Sequence, residues 1–166
     1  MDLYKLHSNP ETLDGFDQQS NVPEILRDLA RSKQDLAIEQ KIIKHPRFAY
    51  EYAEYVLDRR WPEAEKYIMK HPESAHRYAN KFFKDGWPEA EQYIMTDPWP
   101  AYSYAKKFFK GVGWPEAEQY IMTDPTWAAR YAIDVVERRW PEAEDDIIED
   151  EEEWNEYTDT FPEAKR

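Results

Sequence analysis

Apolar and polar residues follow a helical period along this chain, and proline interrupts the pattern at regular points. Ala75, Tyr78, Ala79, Phe82 and Phe83 fall at i, i+3, i+4, i+7 and i+8, which is one face of an α-helix. The stripe returns as Ala101, Tyr104, Ala105, Phe108, Phe109 and as Ala128, Tyr131, Ala132, Val135, Val136. A shorter stripe precedes each one; in the first case it is Trp61, Ala64 and Ile68, with Tyr67 on its edge. Pro62 suits the first turn of that short helix, where its missing N–H costs nothing. Pro72 ends it, because the residue before a proline is pushed out of the α region. His71 then serves as N-cap of the second helix. The same slot holds His45, Asp97 and Asp124 elsewhere, and Asp is a preferred cap. Basic residues close the second helices (Arg59, Arg60, Lys84, Lys110, Arg138, Arg139), matching the negative helix end. Gly86, Gly111 and Gly113 permit the left-handed turn into the next unit.

The unit is thus a helix of about 9 residues, a kink and a helix of about 13. Its signature, Trp-Pro-Glu-Ala-Glu, starts at Trp61, Trp87, Trp114 and Trp140, at intervals of 26, 27 and 26 residues. Phe161-Pro162-Glu163-Ala164 is a fifth, weaker echo. A fixed period of this size marks a stacked array. Helices this short do not persist alone in water, so stacking must stabilise them. The pattern predicts an all-α fold: an α-solenoid of about five two-helix repeats, period 26–27. The repeats run 35–60, 61–86, 87–113, 114–139 and, in part, 140–148. The first is degenerate, with Asp35-Leu36-Ala37 in place of Trp-Pro-Glu. Residues 1–34 are expected to form an N-terminal segment and capping helix. That helix opens at Val22-Pro23 and carries Val22, Ile25, Leu26, Leu29 and Ala30 on one face. Residues 149–166 read as an acidic C-terminal cap with some fraying, Trp154 and Tyr157 packing back onto the array.

Composition narrows the function classes. An aromatic content of 16% argues against disorder despite a net charge of -13. The charge is lopsided: residues 140–166 hold twelve acids and two basic residues, residues 1–139 twenty-three and twenty. Direct binding to nucleic acid, which needs clustered Lys and Arg, is disfavoured. The absence of cysteine excludes disulfides and thiolate metal sites. The N-terminus lacks a basic region followed by an apolar run, and no run nears the roughly 18 apolar residues of a membrane span. A soluble protein inside the cell, with no membrane partner, is expected.

The recurring pairs of the Glu63/Glu65 type could suggest general acid and base work. Four copies in register favour a helix-start device instead, since catalysis needs one asymmetric site. The four histidines, His7, His45, His71 and His76, lack metal-ligand spacing. No P-loop or nucleophile elbow is present. No catalytic residue, cofactor or metal is therefore expected.

Partner-binding residues are sought where the repeats differ. On the second helices the variable slots are Phe48/Ser74/Pro100/Trp127, Tyr50/His76/Tyr102/Ala129, Glu51/Arg77/Ser103/Arg130 and Glu54/Asn80/Lys106/Ile133. Tyr50, His76, Arg77, Trp99, Tyr102, Trp127 and Arg130 are the candidates, because aromatic and Arg residues anchor interfaces. The alternative is that these side chains pack against the next unit. Asp145, Asp146, Glu149 and Glu152 lie in the acidic run. They read either as a solvated end cap or as a decoy for a basic nucleic-acid groove.

The repeat Trp-Pro-Glu-Ala-Glu-x-Tyr-Ile-Met-x-Asp-Pro, followed by x-x-Ala-x-x-Tyr-Ala, resembles short helical repeats in uncharacterised proteins of tailed phages and their metagenomic relatives. The opening Met1-Asp2-Leu3-Tyr4-Lys5-Leu6-His7-Ser8-Asn9-Pro10-Glu11 is similar to theirs as well. The resemblance covers residues 35–148; the degenerate unit 35–60 and the acidic tail depart from it. It implies an accessory phage protein in the cytoplasm of a bacterial host, which binds and blocks a host protein or a defence factor of CRISPR type. It supplies no functional residues.

Overall fold

The computed structural model describes residues 36–164. The expected capping helix at Val22-Pro23 lies outside them. Among the described residues there are ten α-helices and no strand. The first unit is α1 (Leu36–Ile42) and α2 (Pro46–Tyr52), the second α3 (Pro62–Ile68) and α4 (Pro72–Phe82). The third is α5 (Pro88–Ile94) and α6 (Pro98–Phe108), the fourth α7 (Pro115–Ile121) and α8 (Pro125–Tyr131). The fifth opens with a 3-10 turn, Pro141–Ala143, before α9 (Glu144–Ile147) and α10 (Glu151–Thr160).

Proline sets these boundaries. His71 has φ -115° and ψ 110°, extended backbone between α3 and α4, as the proline after it requires. The second helices stack side by side: α2 on α4, α4 on α6, α6 on α8, α8 on α10. In units two to four the first helix forms the other layer, lying against the preceding unit's second helix and its own. The repeated alanines let the layers close. Ala75, Ala79, Ala101, Ala105, Ala128 and Ala132 are all 0% exposed. The signature tryptophans Trp61, Trp87, Trp114 and Trp140 are buried as well.

Second helices end in two ways. In units two and three, Phe83 and Phe109 stack on Trp87 and Trp114 at 5.1 and 5.2 Å between centroids. Gly86 follows at φ 90°, where a Cβ would come within 2.8 Å of the Tyr104 hydroxyl oxygen. Units one and four instead widen into a π-helical turn, Ala53–Leu57 and Ala132–Val136. They close on left-handed Asp58 (φ 45°) and Glu137 (φ 53°). The extra residue of the third unit serves the seam: the Gly111 N–H donates to the Val135 carbonyl, 2.6 Å away.

Two expectations need correction. His71 and Asp124 cap their helices with the side chain, but His45 and Asp97 make no such bond. Fraying after residue 148 does not extend to 151–160, which form α10. Asp150 caps that helix, accepting from the Glu152 and Glu153 N–H groups at 3.0 and 3.2 Å. A Pro at its first position is not needed, and Tyr157 is 0% exposed. The turn Pro162–Ala164 then begins the pattern again, with Ala164 1% exposed.

Candidate protein interface

A hydrogen-bond relay recurs in every signature unit and holds the frame that carries the candidate residues. The Trp61 N–H donates to the phenolic oxygen of Tyr78 at 2.6 Å, and that hydroxyl donates to Glu65 Oε1 at 3.0 Å. Trp87–Tyr104–Glu91, Trp114–Tyr131–Glu118 and Trp140–Tyr157–Glu144 repeat it. Each tyrosine thus satisfies an N–H at the start of a first helix, which has no partner within that helix. Burial raises the tyrosine pKa values, that of Tyr157 to about 12, and keeps the hydroxyls protonated as donors. The second glutamate of the signature is therefore an acceptor for a buried phenol as well as a helix-start charge. In units two and five an arginine completes it. Arg60 grips Glu65 at 2.8 and 2.9 Å, and Arg139 grips Glu144 at 2.5 and 2.8 Å. In units three and four Gly86 and Gly113 occupy the arginine's place before the tryptophan.

On this frame the candidate residues fall into two groups. Tyr50, His76 and Tyr102 are buried, at 7, 2 and 7% exposure. They are packed away rather than offered to a partner. The Tyr50 hydroxyl donates to Glu54. The His76 ring meets Trp99 edge-on at 4.4 Å. Tyr102 stacks on Trp127 across the seam at 5.3 Å and donates to Asp134 at 2.5 Å, with Lys106 held against the same carboxylate at 2.8 Å. Burial, helped by the Arg77 charge, lowers the His76 pKa to about 4, so its ring is neutral.

Arg77, Trp99, Trp127 and Arg130 remain at the surface. Arg77 is exposed and pairs with Glu73 at 2.9 Å; its guanidinium lies 5.9 Å from the Trp99 ring. The half-buried indoles of Trp99 and Trp127 meet at 6.3 Å. Arg130 reaches Glu156 on α10 at 4.0 Å. Arg77, Trp99 and Trp127 thus form one strip over α4, α6 and α8, while Arg130 turns from α8 toward α10.

Asp145, Asp146, Glu149 and Glu152 lie apart from that strip on the fifth unit; Asp146 is half-buried and the other three exposed. Acids around them have internal duties: Glu144 binds Arg139 and Tyr157, and Asp150 caps α10. The run is only partly a solvated tail. The relay itself went unread in the sequence, although a signal existed. Tryptophan and tyrosine stand 17 residues apart, and glutamate and tyrosine 13 apart, in all four units.

Among the described residues no cluster of His, Asp or Glu could hold a metal ion. No described helix is long and apolar enough to cross a membrane. Comparison with protein-family models, curated proteins and solved structures returns no match.

Proposed function

We propose that the chain is a non-catalytic repeat protein that acts by binding another protein along its second-helix layer. The observation that carries this reading is Trp99. Its indole stands half-exposed between the buried His76 and the half-buried Trp127, with the Arg77 guanidinium beside it. Trp and Arg are enriched among the residues that anchor protein interfaces, and here two indoles and one guanidinium lie together. The frame beneath is held by buried hydrogen bonds, so little order is lost on docking. The resemblance of the repeat motif to phage proteins supplies the setting: the cytoplasm of a bacterial host, with a host or CRISPR-type defence factor as partner.

The test is a pull-down from host lysate by the full chain, with mass spectrometry of what is retained. A single enriched protein, lost with Trp99→Ala and Arg77→Ala, is expected. Recovery of no protein, or recovery indifferent to both substitutions, overturns the reading.

A further inference from the structure

The first-helix layer has a different character from the strip just described. In units three to five the stretches 87–97, 114–124 and 140–150 contain no Lys or Arg at all. The cations of these units sit on the second helices and linkers, and several are already committed. Lys106 pairs with Asp134, Lys110 with Glu137, Arg130 with Glu156 and Arg139 with Glu144. Glu89, Glu116 and Glu142 occupy one slot of successive units and are exposed. None of the three has an ion-pair partner among the described residues.

One helical turn beyond Glu89 and Glu116 stand Tyr93 and Tyr120, half-buried. Tyr104 and Tyr131 spend their hydroxyls on the relay, whereas those of Tyr93 and Tyr120 bond to nothing among the described residues. The repeat therefore sets an exposed carboxylate in one slot of each of these units and, in units three and four, a half-buried phenol one turn on. Uncompensated charge of one sign attracts a partner of the other sign and sets its approach. Tyrosine adds apolar area and a hydrogen-bonding tip at small entropic cost. A lone metal ion does not fit, since the carboxylates are distributed one per unit and no metal-holding group forms.

We propose that the outward face of the first helices in units three to five docks a basic protein surface, with Glu89, Glu116 and Glu142 meeting its Lys and Arg side chains and Tyr93 and Tyr120 packing between them. This surface is separate from the Trp99 strip and does not depend on it.

The probe is a fluorescent arginine-rich peptide, titrated with the full chain at physiological salt and followed by anisotropy. Glu89→Gln/Glu116→Gln and Tyr93→Ser/Tyr120→Ser each weaken binding about tenfold. A control pair of equal charge change in and after α10, Glu151→Gln/Glu163→Gln, changes it less than about twofold. All six positions are exposed or half-buried, and circular dichroism confirms that each variant is folded. Equal loss with the control pair means non-specific attraction to acid and overturns the proposal. So does an indifferent tyrosine pair, or no binding by the parent chain. None of these outcomes touches the Trp99 reading, which its own pull-down decides.

Discussion

The backbone N–H of Trp114 points at the phenolic oxygen of Tyr131, 2.5 Å away and 17 residues on in the chain. Both residues are buried, at 3 and 0% exposure, so water cannot replace either partner. The hydroxyl passes its own proton toward Glu118 at 3.0 Å. Tyr131→Phe keeps the ring and removes both bonds. The expected loss is about 1–3 kcal/mol, the cost of leaving a buried donor unsatisfied. Urea denaturation checks it. A loss no greater than that of Tyr93→Phe, whose hydroxyl is unbonded, would show that the relay is ornamental.

His76 makes stability depend on pH. Burial and the neighbouring Arg77 depress its folded pKa to about 4, from the ordinary histidine value of 6.5. The unfolded chain therefore binds the proton more readily, and stability rises with pH through that window. Between pH 7 and pH 4 the residue alone withdraws up to about 3 kcal/mol. Carboxylates titrate nearby, so the reading is a difference: thermal unfolding of the parent against His76→Phe, whose ring can still meet Trp99. The variant should lose less stability on acidification. Parallel curves would mean that the His76 proton does not matter.

The fold was legible in the sequence because proline and tryptophan recur at fixed intervals and each dictates a local event. Pro72 breaks the backbone wherever it sits, and Trp61 must be buried. Much of the site was hidden for a different reason. The slots of Tyr50, His76 and Tyr102 vary among units, which reads as freedom to meet a partner. The structure shows that seams absorb this variation instead: Tyr102 meets Trp127, and His76 meets Trp99. Variability between repeats cannot distinguish a seam from a surface, because neighbouring units can vary together. The two helix endings were hidden too, since Val135-Val136 and Phe82-Phe83 look equivalent as apolar pairs, yet only the first lies in a π-helical turn.

Those endings predict substitutions of opposite sign. Glu137 holds φ 53°, a conformation that costs a residue with a side chain on the order of 1 kcal/mol. Its pair with Lys110 is exposed and stabilises little. Glu137→Gly should therefore raise stability by about 0.5–1 kcal/mol. Gly113 at φ 86° is the converse case: a Cβ there would lie 2.9 Å from Val136 Cγ1 and 3.1 Å from the Tyr131 hydroxyl oxygen. Gly113→Ala should cost about 1–3 kcal/mol through strain and overpacking. Chemical denaturation of both variants decides; the same sign for both would refute the assignment of strain.

The fifth unit offers the sharpest test of how the array holds together. Glu144 is 2% exposed and accepts from both Arg139 and Tyr157. Glu118, in the fourth unit, accepts from Tyr131, and its unit has a glycine where the arginine would be. Glu144→Ala removes the acceptor shared by Arg139 and Tyr157 and leaves the buried Tyr157 hydroxyl unpaired, a loss worth about 1–3 kcal/mol. Units in such an array touch only their neighbours, so the damage should stay local. Amide exchange is expected to accelerate in α10 and in the turn at Trp140, while α4 and α6 keep their protection. Glu118→Ala should give a smaller acceleration, centred on α8. Uniform acceleration through all units after Glu144→Ala would mean that the array unfolds as one cooperative block and that the relay does not act unit by unit.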